Sequence, residues 1–451
     1  MVFINRHREL TALTRALQQE SALFVLYGRR RLGKTALLKQ FYNQRPHLYF
    51  VGDQGPTVHQ VQALARRLGE ERNDSFLRSA SIQSWRDLFA YLRNLSLPLD
   101  LVLDEFPYLC HADPSLPSLL QNTWDESWCH SPVRLILCGS STSFMENEVL
   151  SEKSPLFGRR TGQMQLGELS FWDSRQFFPD WSIDDQIRAY AWLGGTPAYL
   201  AKFLPNLSLA DNVCQQILEP SSYLYTEPRY LMQQELREPG LYFAILAAVA
   251  AGMTRLNDIA QNVQRQVTQV NRYLDILCHL DIVEREVPVT ESLHNSRKGL
   301  YRLKSNFFRA WFRYVHPNLA ECEWGQGDWI WANKILPDLE HYVSRTYEDI
   351  CRDWLLRQSH QGQLAFRPDQ VGRWWDRQDE IDILAYDKHN LIAAECKWAS
   401  RPVGPATLAK LRQKRAKLTQ FQHHQTTYFL FSRSGFVDLQ EAPDLRLITL
   451  S

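Results

Sequence analysis

Gly28-Arg29-Arg30-Arg31-Leu32-Gly33-Lys34-Thr35 is the stretch that decides the fold class of this chain. An apolar run with strand character, ALFVLY at 22–27, precedes it, and a helical pattern, ALLKQFY at 36–42, follows. Strand, P-loop and helix therefore succeed one another, and the loop fits GxxxxGK[ST]. The glycines let backbone N–H groups curl round phosphate oxygens at a helix N-terminus. Residues Gly28 to Thr35, with Ala36, are the candidate ATP-binding segment. Lys34 would reach the β- and γ-phosphates, and Thr35 would hold Mg²⁺.

The motif gains weight from its context. LVLDE at 101–105 is an apolar strand ending in two carboxylates, the pattern of a Walker B strand. Asp104 would bind the Mg²⁺ shell through water, and Glu105 would polarise the attacking water. A third strand, RLILCG at 134–139, ends in four hydroxyls, Ser140 to Ser143, at the carboxyl edge where ligands of open α/β sheets lie. Ser140 is a candidate γ-phosphate sensor; a helix cap explains the same hydroxyl equally well.

FINRHREL at 3–10, the P-loop, LVLDEFPYL at 101–109, LILCGSSTSFM at 135–145, PLFGRRT at 155–161 and LGGTPAY at 193–199 stand in the order seen in the archaeal-type ATPase family. The resemblance covers roughly residues 1–230 and extends to the related STAND and AAA+ ATPases. It implies that the FxxRxxEL element lies beside the nucleotide pocket and that GGTP marks the meeting of lid and nucleotide. It also implies that Arg159 or Arg160 serves as a finger or sensor for γ-phosphate charge, to which a guanidinium offers a permanently charged fork. An exposed basic turn is the alternative for those two arginines. Asn5 departs from the family, where glycine is commoner before the arginine.

Beyond this core, FWDSRQFF and DDQIRAYAWL carry apolar residues at three- and four-residue spacing, which predicts a helical lid over 171–237. From Leu241 an apolar helix, a second helix, a third over 267–279 and two short strands near 282–289 and 299–303 predict a winged helix-turn-helix over 238–316. QRQVTQVNRYLD at 264–275 is its candidate recognition helix, with Gln266, Gln269, Asn271 and Arg272 as contact residues. Residues 251–285 balance four basic side chains with four acidic ones, so nucleic-acid contact and a packing role stay equally open.

Two further apolar strands, around EIDILA at 380–385 and LIAAECKW at 391–398, carry Asp382, Glu395 and Lys397. Alternate side chains of a strand share a face, so Glu395 and Lys397 point the same way and a hairpin partner can bring Asp382 opposite them. Two carboxylates can hold Mg²⁺ while the lysine activates water or steadies phosphate charge. The arrangement resembles the PD-(D/E)XK nuclease core, which implies catalytic roles for Asp382, Glu395 and Lys397 and adds Glu348, on the preceding helix, as a third metal carboxylate. WWD, EID and ECKW in this order also resemble the DUF234 domain that follows archaeal-type ATPase modules. A fold retained for binding or dimerisation is the alternative.

The expected architecture is thus α/β: an ASCE-type P-loop parallel sheet over 1–170, a helical lid, a winged helix, and a PD-(D/E)XK-like α/β domain over 317–451. In 451 residues, 51 Lys and Arg meet 50 Asp and Glu, which excludes histone-like wrapping of DNA. Locally the charges segregate. Residues 292–320 hold six basic side chains and 396–437 hold eight, with no acid in either run. The remaining 37 basic residues face all 50 acids. This favours a localised nucleic-acid contact, DNA above all, through the C-terminal half.

The longest apolar run, 13 residues from Leu241 to Met253, falls short of the roughly 20 needed to span a bilayer, so no membrane partner is expected. No secretory signal is evident, and the eight scattered cysteines read as reduced core residues of a cytoplasmic protein. The composite expectation is an ATP- and Mg²⁺-dependent ATPase or switch acting with nucleic acid, its nuclease chemistry open. A signalling scaffold or transcriptional regulator with an inert C-terminal domain is the alternative, and a homo-oligomer or an unidentified protein partner stays open.

Overall fold

Six consecutive buried side chains, Ala22 to Tyr27, form β1, as suits a strand covered on both faces of a parallel sheet. In the computed structural model, which describes residues 3–79, 82–93, 98–236, 238–293 and 295–450, four more strands join it. They are β2 (Leu48–Val51), β3 (Leu99–Asp104), β4 (Val133–Gly139) and β5 (Gly162–Gln165). The order is β2-β3-β4-β1-β5 and every pair is parallel. β4 therefore separates the P-loop strand from the strand of Asp104. Tyr27 pairs with Gly139 and Val51 with Asp104, which brings Gly28, Glu105 and Ser140 to one carboxyl edge.

Side-chain alternation sorts the core of this unit onto two faces. Leu23, Val25, Leu101, Leu103, Leu135 and Leu137 pack with Trp85, Phe89 and Trp128 on one side. Phe24, Leu26, Val102, Ile136 and Cys138 pack with Leu37 and Leu38 of the P-loop helix, Lys34–Phe41, on the other.

The chain divides into two units: residues 1–168 with 196–198, and residues 169–195 with 199–451. The second unit begins with the helical segment of the expected lid, whose main helix, Ile183–Leu193, is capped by Ser182. Its turn demands glycine at Gly195, where a Cβ would stand 1.8 Å from the Leu169 carbonyl oxygen. Helices Pro239–Ala250, Leu256–Asn262 and Val267–His279 then lead into an antiparallel hairpin of β6 (Val283–Glu286) and β7 (Leu300–Leu303). The third of these helices has the expected span, Val267–His279, and Gln264, the first residue of the candidate recognition segment, lies outside it, left-handed with φ 52°.

The helix Leu339–His360 precedes β8 (Gln370–Trp375), β9 (Glu380–Tyr386) and β10 (Asn390–Lys397). The helix Pro405–Ala416 separates these from β11 (Gln425–Ser432) and β12 (Leu445–Ile448). The sheet order is β12-β11-β10-β9-β8, antiparallel from β8 to β10 and parallel from β10 to β12.

The segments expected as three domains, 171–237, 238–316 and 317–451, form one unit here because polar contacts cross both borders. Arg433 Nε lies 2.6 Å from Asp184, Arg188 Nη2 lies 2.7 Å from Glu340, and Val289 N donates to the Arg373 carbonyl at 2.9 Å. All eight cysteines are free, and no described helix is long and apolar enough to cross a membrane.

Candidate functional site

The P-loop leaves β1 through two positive-φ glycines, Gly28 at 140° and Gly33 at 90°, with Arg31 at 71° between them. Gly28 has no room for a side chain, since a Cβ there would meet the Leu166 carbonyl oxygen at 2.5 Å. Lys34 folds back over the loop, and its Nζ donates to the carbonyls of Gly28 at 2.7 Å and Arg29 at 3.1 Å. Burial pulls the Lys34 pKa below the ordinary lysine value, against the upward pull of Cys138, Glu105 and Asp104.

Asp104 is buried at the end of β3 and gathers three donors. Thr35 Oγ1 donates to its Oδ2 at 3.0 Å, Tyr49 donates through its hydroxyl to the same oxygen, and the Glu105 N–H donates to Oδ1 at 2.9 Å. Burial, then the Asp104 charge, raises the Tyr49 pKa, so the phenol stays protonated as a donor. Thr35 and Asp104 thus present a hydroxyl and a carboxylate side by side, a hard-oxygen pair that fits Mg²⁺. Glu105, left-handed at φ 51°, starts the helix Phe106–Ala112. The Ser140 hydroxyl lies 3.0 and 2.7 Å from its two carboxylate oxygens. Ser140 is committed to Glu105 in this arrangement rather than extended toward a γ-phosphate.

The arginines of the loop are occupied. Arg29 Nη2 lies 2.5 Å from Glu168 and 3.4 Å from Thr196 Oγ1, and the threonine in turn donates to Glu168 at 3.0 Å. Arg30 donates to the Tyr108 hydroxyl at 2.7 Å. From the opening element, Arg6 spans the Leu32 carbonyl at 3.2 Å, the Gly167 carbonyl at 2.8 Å and Glu9 at 2.8 Å, so FxxRxxEL buttresses the P-loop from outside.

The two candidate finger arginines are engaged with other groups in this arrangement, although Arg160 lies close enough to Tyr27, at the end of β1, to act on its hydroxyl. Arg159 is paired through Nη2 with Asp125 at 2.8 Å, and Arg160 donates to the Leu150 carbonyl at 2.8 Å with its guanidinium 5.5 Å from the Phe157 ring. Asp125 lies 34 residues before Arg159, and no short-range pattern marks it as the partner.

In the C-terminal sheet, β9 and β10 pair antiparallel and bring Asp382 to the end of β10. Asp382 Oδ2 accepts the Cys396 N–H at 2.7 Å, and Glu395 Oε1 accepts from Lys397 Nζ at 2.6 Å. Burial, reinforced by Glu395 and Glu348, pushes the Asp382 pKa up to about 7. Asp382, Glu395 and Lys397 therefore converge. Glu348 stands near enough to Asp382 for its charge to act on that carboxyl, and Arg345 Nη1 donates to its carboxylate at 3.2 Å. Among the described residues no three His, Cys, Asp or Glu side chains are grouped to hold a metal ion, so Asp382 and Glu395 offer a two-carboxylate platform.

The two basic runs are largely spent on internal partners. In the first, Lys298 pairs with Glu291 at 2.5 Å, Arg302 with Glu286 at 3.0 Å, Lys304 with Asp281 at 2.6 Å and Arg313 with Asp338 at 2.7 Å. Arg309 donates to Thr346. In the second, Lys397 and Lys414 hold Glu395, Arg412 pairs with Asp444, Arg415 with Thr426, Lys417 with Asp379, and Arg433 with Asp184 and Glu340. Among the described residues, Arg297, Arg401 and Lys410 have no such partner. In the candidate recognition helix, Asn271 is taken up by Asp275 at 3.0 Å and Tyr301 at 3.2 Å, while Gln266, Gln269 and Arg272 are exposed.

Tyr49, Glu168, Thr196 and Lys414 touch these sites without having been singled out in the sequence. Thr196 carries a signal as part of GGTP. Lys414 carries one too: it stands three residues after Leu411 in the buried Leu408–Leu411 repeat, on the inward face of its helix.

A family model described as an ATPase domain predominantly from Archaea matches residues 3–203. A second, DUF234, of archaeal and bacterial proteins of unknown function, matches residues 311–417. An uncharacterized protein of Methanocaldococcus jannaschii is 32% identical over 400 residues, which make up 88% of this chain and 88% of the relative. An uncharacterized ATP-binding protein of the same organism is 46% identical over 46 residues, 10% of this chain and 78% of its own length. The structure of a Walker-type ATPase of Pyrococcus abyssi shares the fold at a TM-score of 0.54 and 20% identity, covering 69% of this chain and 96% of that one.

Proposed function

The chain belongs to the archaeal-type ATPase family, with a DUF234 domain after the ATPase module, and is a P-loop ATPase; from that premise we propose the roles of its residues. Lys34 exchanges its two loop carbonyls for β- and γ-phosphate oxygens, and the N–H groups of residues 28–36 line the phosphates. Mg²⁺, when bound by Thr35 and through water by Asp104, neutralises phosphate charge. Glu105 orients and polarises the attacking water, and Ser140 holds Glu105 in place. The convergence of Thr35, Asp104, Glu105 and Ser140 at one sheet edge carries this reading. Lys34→Ala should abolish nucleotide binding or turnover in a protein that still melts cooperatively; unchanged ATP affinity and hydrolysis would overturn it.

Hydrolysis is proposed to drive a switch. Arg29 of the P-loop is bonded to Glu168 and Thr196, the residues that flank the segment 169–195 in sequence. Within that segment, Arg188 of the helix Ile183–Leu193 reaches Glu340 and lies 5.7 Å from the Trp398 ring, next in sequence to Lys397. A change at Arg29 can therefore pass along the chain toward the C-terminal carboxylates. Nucleotide-dependent hydrogen exchange at residues 395–400 tests this; identical exchange with and without bound nucleotide would refute it.

A second reading is favoured by the Asp382–Glu395–Lys397 convergence and the succession of helix, three antiparallel strands, helix and strand around it. It is a divalent-cation site for phosphodiester chemistry on nucleic acid, of PD-(D/E)XK type. DNA cleavage assayed with Mg²⁺ or Mn²⁺ should disappear in Asp382→Ala and Lys397→Ala. Cleavage equal in all three proteins would mark a contaminant, and none in the wild type would favour the scaffold alternative.

A further inference from the structure

Glu395 is buried, and both of its oxygens are taken by ammonium groups: Oε1 by Lys397 at 2.6 Å and Oε2 by Lys414 at 2.9 Å. Lys397 is the lysine of the strand motif. Lys414 comes from a separate element, the helix Pro405–Ala416, and reaches Glu395 from 19 residues downstream. The helix is pinned in this rotation. Leu408 and Leu411 are buried beneath it, and Arg415 donates to Thr426 Oγ1 at 2.9 Å and the Phe421 carbonyl at 2.6 Å. The neighbouring Lys417 is paired with Asp379. Lys414 is thus aimed inward by its helix and is no loose surface lysine.

Around the strand ends, the carboxyl groups of Asp382 and Glu395 stand with two ammonium groups, Lys397 and Lys414, and Arg345 donates to Glu348 while also reaching Glu286. A divalent cation held by Asp382 and Glu395 would compete with these ammonium groups for the Glu395 oxygens. Lys397 lies on the same strand as Glu395, whereas Lys414 reaches the other carboxylate oxygen from a helix. An ammonium released there stays beside the cation, where an anionic oxygen bound to that cation would meet it.

Resting on the reading of Asp382 and Glu395 as a divalent-cation site, we propose that Lys414 is a second basic residue of that site. It is the resident counter-ion of Glu395, displaced by the divalent cation and then available to a phosphate oxygen of the substrate. The site then takes cation and phosphodiester together, and Lys414 makes it resist cation alone.

Mn²⁺ binding to the full-length, nucleotide-free protein tests this, read from the spin-resonance signal of free Mn²⁺ in a Thr35→Ala background that silences the P-loop site. Wild-type residues at the C-terminal site should bind Mn²⁺ weakly, and Asp382→Asn should remove that binding. Lys414→Met should tighten it about tenfold, while Lys414→Arg should leave it within about twofold. In Ca²⁺, Lys414→Met should bind a short DNA duplex several-fold more weakly than the parent. Equal or weaker Mn²⁺ binding in Lys414→Met, with Asp382→Asn still abolishing it, would overturn the role of Lys414. Absence of any Mn²⁺ binding that Asp382→Asn removes would overturn the cation site itself, and this inference with it. Thermal melts of each variant identify any that fail to fold.

Discussion

Removing the Ser140 hydroxyl separates a residue that positions the hydrolytic carboxylate from one that touches nucleotide. Ser140 is 3% exposed, and its Oγ lies 2.7 and 3.0 Å from the two oxygens of Glu105. A hydrogen bond to a charged group contributes about 1.5–3 kcal/mol. Glu105 is only half-buried, so solvent compensates part of the loss and about 1–2 kcal/mol is the expected cost. That is a factor of roughly 5–30. Ser140→Ala should therefore lower kcat for ATP by about 5–30-fold with KM changed by less than about twofold, measured by steady-state phosphate release. Glu105→Gln should lose about a hundredfold or more, as expected for a removed general base. Because both changes act on one carboxylate, Ser140→Ala should cost little in the Glu105→Gln background. An unchanged or raised kcat in Ser140→Ala would refute the positioning role. A raised KM at constant kcat would assign the hydroxyl to the nucleotide instead.

Two other outcomes follow from buried charge. The Asp382 pKa, raised to about 7, favours the folded state fully below the ordinary aspartate value and loses that contribution as pH rises through 7. Metal-free protein should thus be less stable at pH 8 than at pH 6, and Asp382→Asn should stabilise it at pH 8 by on the order of 2–4 kcal/mol at most, read as a raised melting temperature; equal melting of both proteins at pH 8 would contradict it. Glu286 of β6 lies 3.0 Å from Arg302, 3.3 Å from Arg345 and 4.0 Å from both Arg352 and Arg373, so Glu286→Ala removes the acid these four guanidinium groups share and takes from Arg302 its carboxylate partner. Urea unfolding should show about 3 kcal/mol of destabilisation, and a loss below about 1 kcal/mol would mean that solvent already screens the cluster.

What could be read from the sequence was what is local in it. Lys34, Thr35, Asp104 and Glu105 are announced by motifs in which a strand runs directly into the functional loop. Asp382, Glu395 and Lys397 follow from the two-residue period of β10 and its antiparallel neighbour. The insertion of β4 between β1 and β3 is set by long-range pairing, and no local pattern in those strands contains it. The same holds for Arg159, whose environment depends on Asp125 in the helix Leu116–Glu126, whereas the Arg345–Glu348 pair, three residues apart on one helix, is local. Tyr49 became visible only when β2 came to lie beside β3.

Charge is where sequence order misled most, and it can be tested by number. The 14 basic residues of the two acid-free runs favoured a localised basic contact, yet acids from elsewhere in the chain fold onto most of them. Arg297, Arg401 and Lys410 stand without such partners among the described residues. Each phosphate neutralised on duplex DNA contributes about −0.9 to the slope of log K against log salt. A contact through about three phosphates predicts a slope near −3, while full use of both runs would give about −12. Filter binding or anisotropy with a short duplex, from 50 to 300 mM salt, reads the slope directly. A value steeper than about −6 would mean that the internal pairs open on binding, since the unpaired residues alone could not supply it. A slope near −3 would mean that the folded charge pattern, and not the linear one, is what a nucleic acid meets.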